Sequence, residues 1–199
     1  MMKPRTRTLL TIAAALWLSS ACSTVSQVHI RPDYEQVDRS QTFRLEVLIS
    51  PLPEGSEALG RMWSLMAGRY VNHHRDFIAG AARASADLPE DLCGGGIEGV
   101  LHLRPEVRPD GDGYALGVHG RLFRCRDRET IWSATGAGSW PSDDPQLVEM
   151  TRAYGAELGE QIQAHVAPTF RLLRALLDTL PRPVLTRDED VMDKIELSL

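Results

Sequence analysis

Two alternating segments joined by a turn-forming run constrain the fold of this chain more than any other feature. In and just beyond IEGVLHLRPEV, Ile97, Leu101, Leu103 and Val107 share one parity, and Glu98, His102, Arg104 and Arg108 share the other. In YALGVHGRLFRC, Tyr114, Leu116, Val118 and Leu122 stand opposite in parity to His119, Arg121, Phe123 and Cys125. Period two predicts half-buried strands, and Pro109-Asp110-Gly111-Asp112-Gly113 between them is turn chemistry. Paired residues must face the same side, a condition met when Val107 lies opposite Tyr114. That register sets His102 opposite His119 and brings Cys125 near Gly96, one short loop from Cys93. A Cys93–Cys125 disulfide follows as an expectation, stabilising by about 3–4 kcal/mol through loop-closure entropy.

The remaining elements arrange themselves around this hairpin. TFRLEVLIS (residues 42–50) alternates Phe43, Leu45, Val47 and Ile49 and predicts a strand, stopped by Pro51-Leu52-Pro53. From Glu57 to about Ala84, Leu59, Met62, Trp63, Met66, Tyr70, Phe77 and Ala81 recur at helical steps, with Ser56 as N-cap. Leu88 to Gly96 is a breaker loop. TIWSATGAGSW (130–140) predicts a further strand. Leu147, Thr151, Tyr154, Leu158, Ile162 and Val166 trace a second helix that kinks at Pro168 and runs on to Leu180. The expected fold is α/β (α+β): a mixed four-stranded sheet with two long helices packed on one face, in the order strand-helix-strand-strand-strand-helix. The second face alternates polar, so it is expected to be wet or covered by a partner.

The start of the chain carries a different signal. Lys3, Arg5 and Arg7 precede an apolar run, Leu9–Leu18, of 10 residues, which is too short to span a bilayer as a helix. Ser19-Ser20-Ala21 and then Cys22 follow, with Leu18 one place earlier than usual. This stretch resembles the bacterial lipoprotein signal, in which the cysteine is acylated and becomes the mature N-terminus. The resemblance implies a signal peptide over residues 1–21, a lipidated tether over 22–41, an α/β domain over 42–181 and a tail over 182–199 that ends in a short helix. Ser23 after the lipid site, in place of aspartate, resembles outer-membrane sorting. The implied address is the periplasmic face of the outer membrane, held by three acyl chains, whereas a single chain binds only marginally.

Removing residues 1–21 from the 199 leaves 178, a size for one domain with tails. Losing Lys3, Arg5 and Arg7 takes the formal net charge from −5 to −8. An acidic chain without a basic run does not suit nucleic acid, and its membrane attachment is expected from the lipid. With Cys22 acylated, Cys93 and Cys125 remain as an even pair for an oxidising compartment.

Chemistry-bearing motifs are sparse. His74-Arg75-Asp76-Phe77 lacks the glycine-rich loop and metal-binding residues that accompany such a run in kinases. Gly136-Ala137-Gly138-Ser139-Trp140 does not have the nucleophile-elbow spacing, and no lysine follows Cys93-Gly94-Gly95-Gly96 to make a phosphate cradle. His102 and His119, facing each other in the register above, are weak candidates for a transition-metal pair; His73 and His74 are weaker. No cofactor is expected. Val100, His102, Arg104, His119, Arg121 and Phe123 together form a mixed apolar, aromatic and cationic surface of the kind used in protein contacts.

In outline the order FRLEVLISPLP, long helix, GIEGVLHL, YALGVHGRLFRC, RETIWSATGAGSW and last helix resembles the small α/β domains of bacterial envelope lipoproteins. These include the curli-secretion lipoprotein and the lipoprotein activators of penicillin-binding proteins. The resemblance is one of order over Phe43 to Val166 and transfers no functional residue. It implies a non-catalytic interaction or assembly module of the cell envelope with a protein partner. The alternatives are an auxiliary lipoprotein of an envelope transport system, with a lipid cavity between sheet and helices, and a metal-dependent hydrolase built on His102 and His119.

Overall fold

A computed structural model describes residues 24–52, 57–85 and 90–197. The signal segment 1–21, Cys22, Ser23 and the expected cap Ser56 lie outside them. The elements are β1 (Val25–Ile30), α1 (Tyr34–Val37), β2 (Arg44–Ile49), α2 (Glu57–His74), β3 (Ile78–Ala84), a 3-10 turn (Glu90–Cys93), β4 (Gly99–Asp110), β5 (Gly113–Arg124), β6 (Thr130–Pro141), α3 (Val148–Leu158), α4 (Gln163–Leu177) and α5 (Asp188–Leu197). Among the described residues, six strands form one sheet in the order β1-β6-β5-β4-β2-β3. β2 pairs parallel with both β3 and β4, and the other pairings are antiparallel. The expected four-stranded, two-helix topology is therefore overturned, and the two added strands are the outer ones.

β3 falls within the predicted long helix. That helix ends at His74, and Asn72 in its last turn clamps the strand that follows: its amide donates to the Ala79 carbonyl at 2.9 Å and accepts from the Ala79 N–H at 2.8 Å. Apart from Gly80, Ile78-Ala79-Gly80-Ala81-Ala82-Arg83-Ala84 is composed of helix-favouring and neutral residues, but β2 offers it a ladder. Small residues let the two layers approach. A Cβ built on Gly68 would sit 3.4 Å from the Ala82 Cβ, and one on Gly60 would sit 3.8 Å from that of Ala84.

β1 lies in the segment expected to be a tether. After Val25 its side chains are exposed, so it shows no apolar alternation, and its place is fixed by backbone pairing with β6 from Val25↔Gly136 to Ile30↔Trp132. Residues 31–41 are tied by charge to the end of β5 and the turn after it. Arg124 is 5% exposed and donates from Nε to both Asp127 oxygens at 2.6 and 2.8 Å, from Nη1 to Asp38 at 3.0 Å and from Nη2 to Glu129 at 2.5 Å. Asp38 itself is fully buried, and Arg31 bridges Glu129 to Asp33.

The hairpin register also differs from the expected one. Asp110 pairs with Gly113 around a two-residue loop, Gly111-Asp112, so Val107 meets Leu116 and Pro109 meets Tyr114. Gly111 takes φ +57, the left-handed value that a tight hairpin requires at its first loop position. Each side keeps its inward and outward faces, but every partner moves by two. A bulge follows in β6, where Leu122 pairs with Trp132 and Phe123 with Thr130. The extra residue, Ile131, is fully buried.

α2 and α4 pack on one face over Leu45, Val47, Leu101, Leu103, Val118, Leu122 and Trp132. Trp63 and Trp132 are both fully buried there. Gly120 makes room for the latter, since a Cβ at that position would lie 2.7 Å from the indole. The expected kink at Pro168 is replaced by a break at Gly159, with φ +103, while Pro168 sits inside α4.

Candidate functional site

The second face of the sheet carries the candidate residues of the sequence. One rung runs across all six strands: His29, Ser133, Arg121, His102, Leu48 and Arg83. The adjacent rung sets Ser26, Thr135, His119 and Arg104 in line. His102 and His119 therefore do not face each other. Each has an arginine opposite it, Arg121 for His102 and Arg104 for His119, because the tight turn moved every partner by two. The expected histidine pair becomes a diagonal one flanked by two guanidinium groups. Among the described residues no group of three or more His, Cys, Asp or Glu is placed to hold a metal ion. His73 and His74 end α2 with their rings 6.4 Å apart, and His74 stacks on Tyr70 at 4.6 Å.

Three of the six residues expected on an exposed partner surface are buried: Val100 at 0%, His102 at 7% and Phe123 at 7% exposed. Val100 and Phe123 belong to a small second core with Leu48 and Leu92, against which Cys93 and Cys125 pack. The two cysteines are bonded, at 2.16 Å, and the Cys125 N–H donates to the Glu98 carbonyl at 2.8 Å. The bridge holds the 3-10 turn and Leu92 down on the sheet, so part of this face is closed by the chain itself. Arg104 stays exposed, and His119 and Arg121 are half-buried.

Local electrostatics follow from this arrangement. His102 Nε2 lies 2.8 Å from the Ser50 hydroxyl. Burial first, and then the charges of Arg104, Arg121 and His119, push its imidazole down to about 4. His119 is shifted down for the same reasons, burial first and then Arg104 and Arg121. Arg121 donates to the Thr130 hydroxyl at 2.7 Å. On this face Glu46 pairs with Arg83, and Glu106 pairs with Arg108 at 2.9 Å. Among the described residues no carboxylate answers Arg104 or Arg121.

Sequence reasoning missed two features. One is the carboxylate set around Arg124; the signal for it was the unusual run Arg124 to Glu129, which alternates charge in a tight turn. The other is how α5, the short helix expected in the tail, docks: it does so by its polar side. Asp190, 0% exposed, accepts from Arg44 Nη2 at 2.5 Å and Arg187 Nε at 2.8 Å. Burial works against its charge, but the hydrogen bonds from Arg187 and Arg44 hold its carboxyl below the ordinary range. Lys194 Nζ donates to the carbonyls of Val71 at 3.2 Å, Asn72 at 2.5 Å and Phe77 at 2.6 Å, at the end of α2. The apolar side chains of α5 turn outward: Val191 is 40%, Met192 55% and Ile195 49% exposed. At the opposite edge of the sheet, β1 exposes Val28 at 46% and Ile30 at 42%.

No protein-family model matches this chain, and no curated protein is significantly similar to it. Among solved structures, the chain is similar to the PelC dodecamer from Paraburkholderia phytofirmans, with 16% identity over 81% of this chain and 99% of that one and a TM-score of 0.50. It is also similar to the hypothetical protein CT253 from Chlamydia trachomatis, with 14% identity over 69% of this chain and 94% of that one and a TM-score of 0.43. At such identities the first likeness is one of fold alone, and the second adds no argument.

Proposed function

We propose that this chain is a lipid-anchored, non-catalytic assembly module of the bacterial cell envelope. On this reading it is exported by residues 1–21, acylated at Cys22, and held at the periplasmic face of the outer membrane, where it associates with other proteins and first with copies of itself. The resemblance of Leu9–Cys22 to a lipoprotein signal and the Cys93–Cys125 disulfide support the compartment. One observation carries the assembly role: apart from Val148 and Val184, the exposed large apolar side chains of the described residues lie at the two opposite edges of one sheet. Val28 and Ile30 lie on β1, and Val191, Met192 and Ile195 lie on α5 beside β3. Two unlike patches on opposite edges suit a head-to-tail contact, which closes into a ring or extends as a filament. The structural neighbour of similar fold is itself a dodecamer, and we extend self-association, not its stoichiometry, to this chain.

The anchor is also short. β1 begins three residues after Cys22, a span of at most about 10 Å, so the folded domain rests on its membrane and does not hang from a tether. Charged residues dock α5, which leaves its apolar side available to a neighbour. An aspartate at that side is expected to block association and leave the fold intact. The test is light scattering on the full acylated protein in non-ionic detergent, comparing wild type with Ile30→Asp and Met192→Asp. The reading expects an oligomer that either substitution dissociates to a folded monomer. A wild-type monomer across the micromolar range would overturn it.

A further inference from the structure

Arg104, His119 and Arg121 on the open half of the second face, with the buried His102 beside them, form a block that its own protein leaves unbalanced. Arg121 faces His102 on one rung and Arg104 faces His119 on the next, which puts the two arginines on a diagonal about 7–8 Å apart at the backbone, within reach of long side chains. The nearest acids on the same face, Glu46 and Glu106, are already paired with Arg83 and Arg108. The chain as a whole is acidic, with a net charge of −5, so a cationic block without carboxylates is a local departure from its composition. The hydroxyls of Ser50, just past β2, and of Thr130, Ser133 and Thr135 on β6 stand around it. An arginine opposite each histidine disfavours a metal cation here and favours an anion.

We propose that Arg104, Arg121 and His119, beside the buried His102, form a binding site for a phosphoryl group. A tetrahedral dianion has enough oxygens to accept from two guanidinium groups and an imidazole N–H at once. A carboxylate, with two oxygens, does not reach as many donors. Arginine forks match phosphate in charge and in geometry. The site is shallow and open, so a phosphate carried at the end of a larger molecule can reach it as readily as the free ion. Burial, and after it the charges of Arg104 and Arg121, lower the titrations of His102 and His119, and a bound dianion would reverse the part of that shift that comes from charge.

The test follows the histidine resonances of the full-length protein in non-ionic detergent by NMR. Separate arms add inorganic phosphate, glycerol phosphate, vesicles containing phosphatidic acid, and sodium chloride at matched ionic strength. Phosphate or a phosphomonoester is expected to move the His119 titration to higher pH and to raise the melting temperature beyond the chloride control. If the free ion and the ester act alike, the source is soluble phosphate; if the vesicles act at far lower phosphate, the source is a lipid headgroup. The double substitution Arg104→Gln, Arg121→Gln should weaken binding about tenfold or more and raise the His119 titration without ligand. Should that variant not fold, the wild-type series decides. Shifts no larger than those with chloride, in every arm, would overturn the proposal. The readout does not depend on acylation of Cys22 or on self-association, so its failure is distinct from theirs.

Discussion

The two faces of the sheet solve opposite problems. One is sealed by α2 and α4 over Leu101, Leu103, Leu122 and Trp132. The other is half closed by a small core of Leu48, Leu92, Val100 and Phe123 beneath the Cys93–Cys125 bridge, and half left to water with Arg104, His119 and Arg121 on it. The first face holds the fold through buried apolar area. The second is held by one covalent link and a few side chains, and its open half contributes little to stability, which frees those positions for contact. The contrast predicts that damage should grade from one face to the other.

Trp132→Ala breaks the sealed face most directly, because the indole is fully buried and fills the space that Gly120 leaves. A loss of about 3–5 kcal/mol is expected in denaturant unfolding. Replacing Cys93 and Cys125 with serine tests the closed half of the second face. The loss should be about 3–4 kcal/mol, and hydrogen exchange should rise around Leu92 while α4 stays protected. A loss that spread equally to α4 would mean that the two faces are not separate.

The pH dependence sharpens the same comparison. His102 titrates at about 4 in the folded protein and near 6.5 unfolded. Between those values the unfolded chain binds more protons, so stability rises with pH, is fully present above about 6.5, and is lost as the pH falls toward 4. The loss should reach at most about 3 kcal/mol and should shrink in His102→Gln, measured as melting temperature against pH. Asp127, held low by its hydrogen bonds from Arg124, and Asp33, held low by those from Arg31, act in the same direction at lower pH. Their contribution is present above the ordinary carboxylate range and lost as the pH falls through their folded values. The smallest effect belongs to the open half. Arg104→Gln should change stability by less than about 0.5 kcal/mol, and a larger loss would show that this arginine holds structure.

The sealed face was legible in the sequence because its residues repeat at regular periods. Leu59, Met62, Trp63, Met66 and Tyr70 mark α2, and Leu101, Leu103, Leu116, Val118 and Leu122 mark the hairpin. β1 and β3 were hidden for physical reasons: β1 exposes nearly all its side chains, and β3 consists mostly of alanine, which shows no period and favours helix. A local detail set the hairpin register. Pro109 and Asp110 have turn-forming composition yet remain in the ladder, because Gly111-Asp112 suffices for the turn. Val100 and Phe123 looked exposed because Leu92 lies in a breaker loop. A signal for that cover was present all the same, since Cys125 shares parity with Phe123, and a bridge from Cys93 must draw the loop onto that face. A short helix in the tail was legible, but not its docking, because the apolar side of α5 points outward and the contact rests on Asp190 and Lys194.

Intact mass analysis of the protein extracted from its native envelope tests the central claim most directly. A lipid-anchored module predicts a polypeptide that starts at Cys22 and carries acyl mass on that residue, with the other two cysteines oxidised. A polypeptide that retains residues 1–21, or one that starts at Cys22 without added lipid, would contradict it.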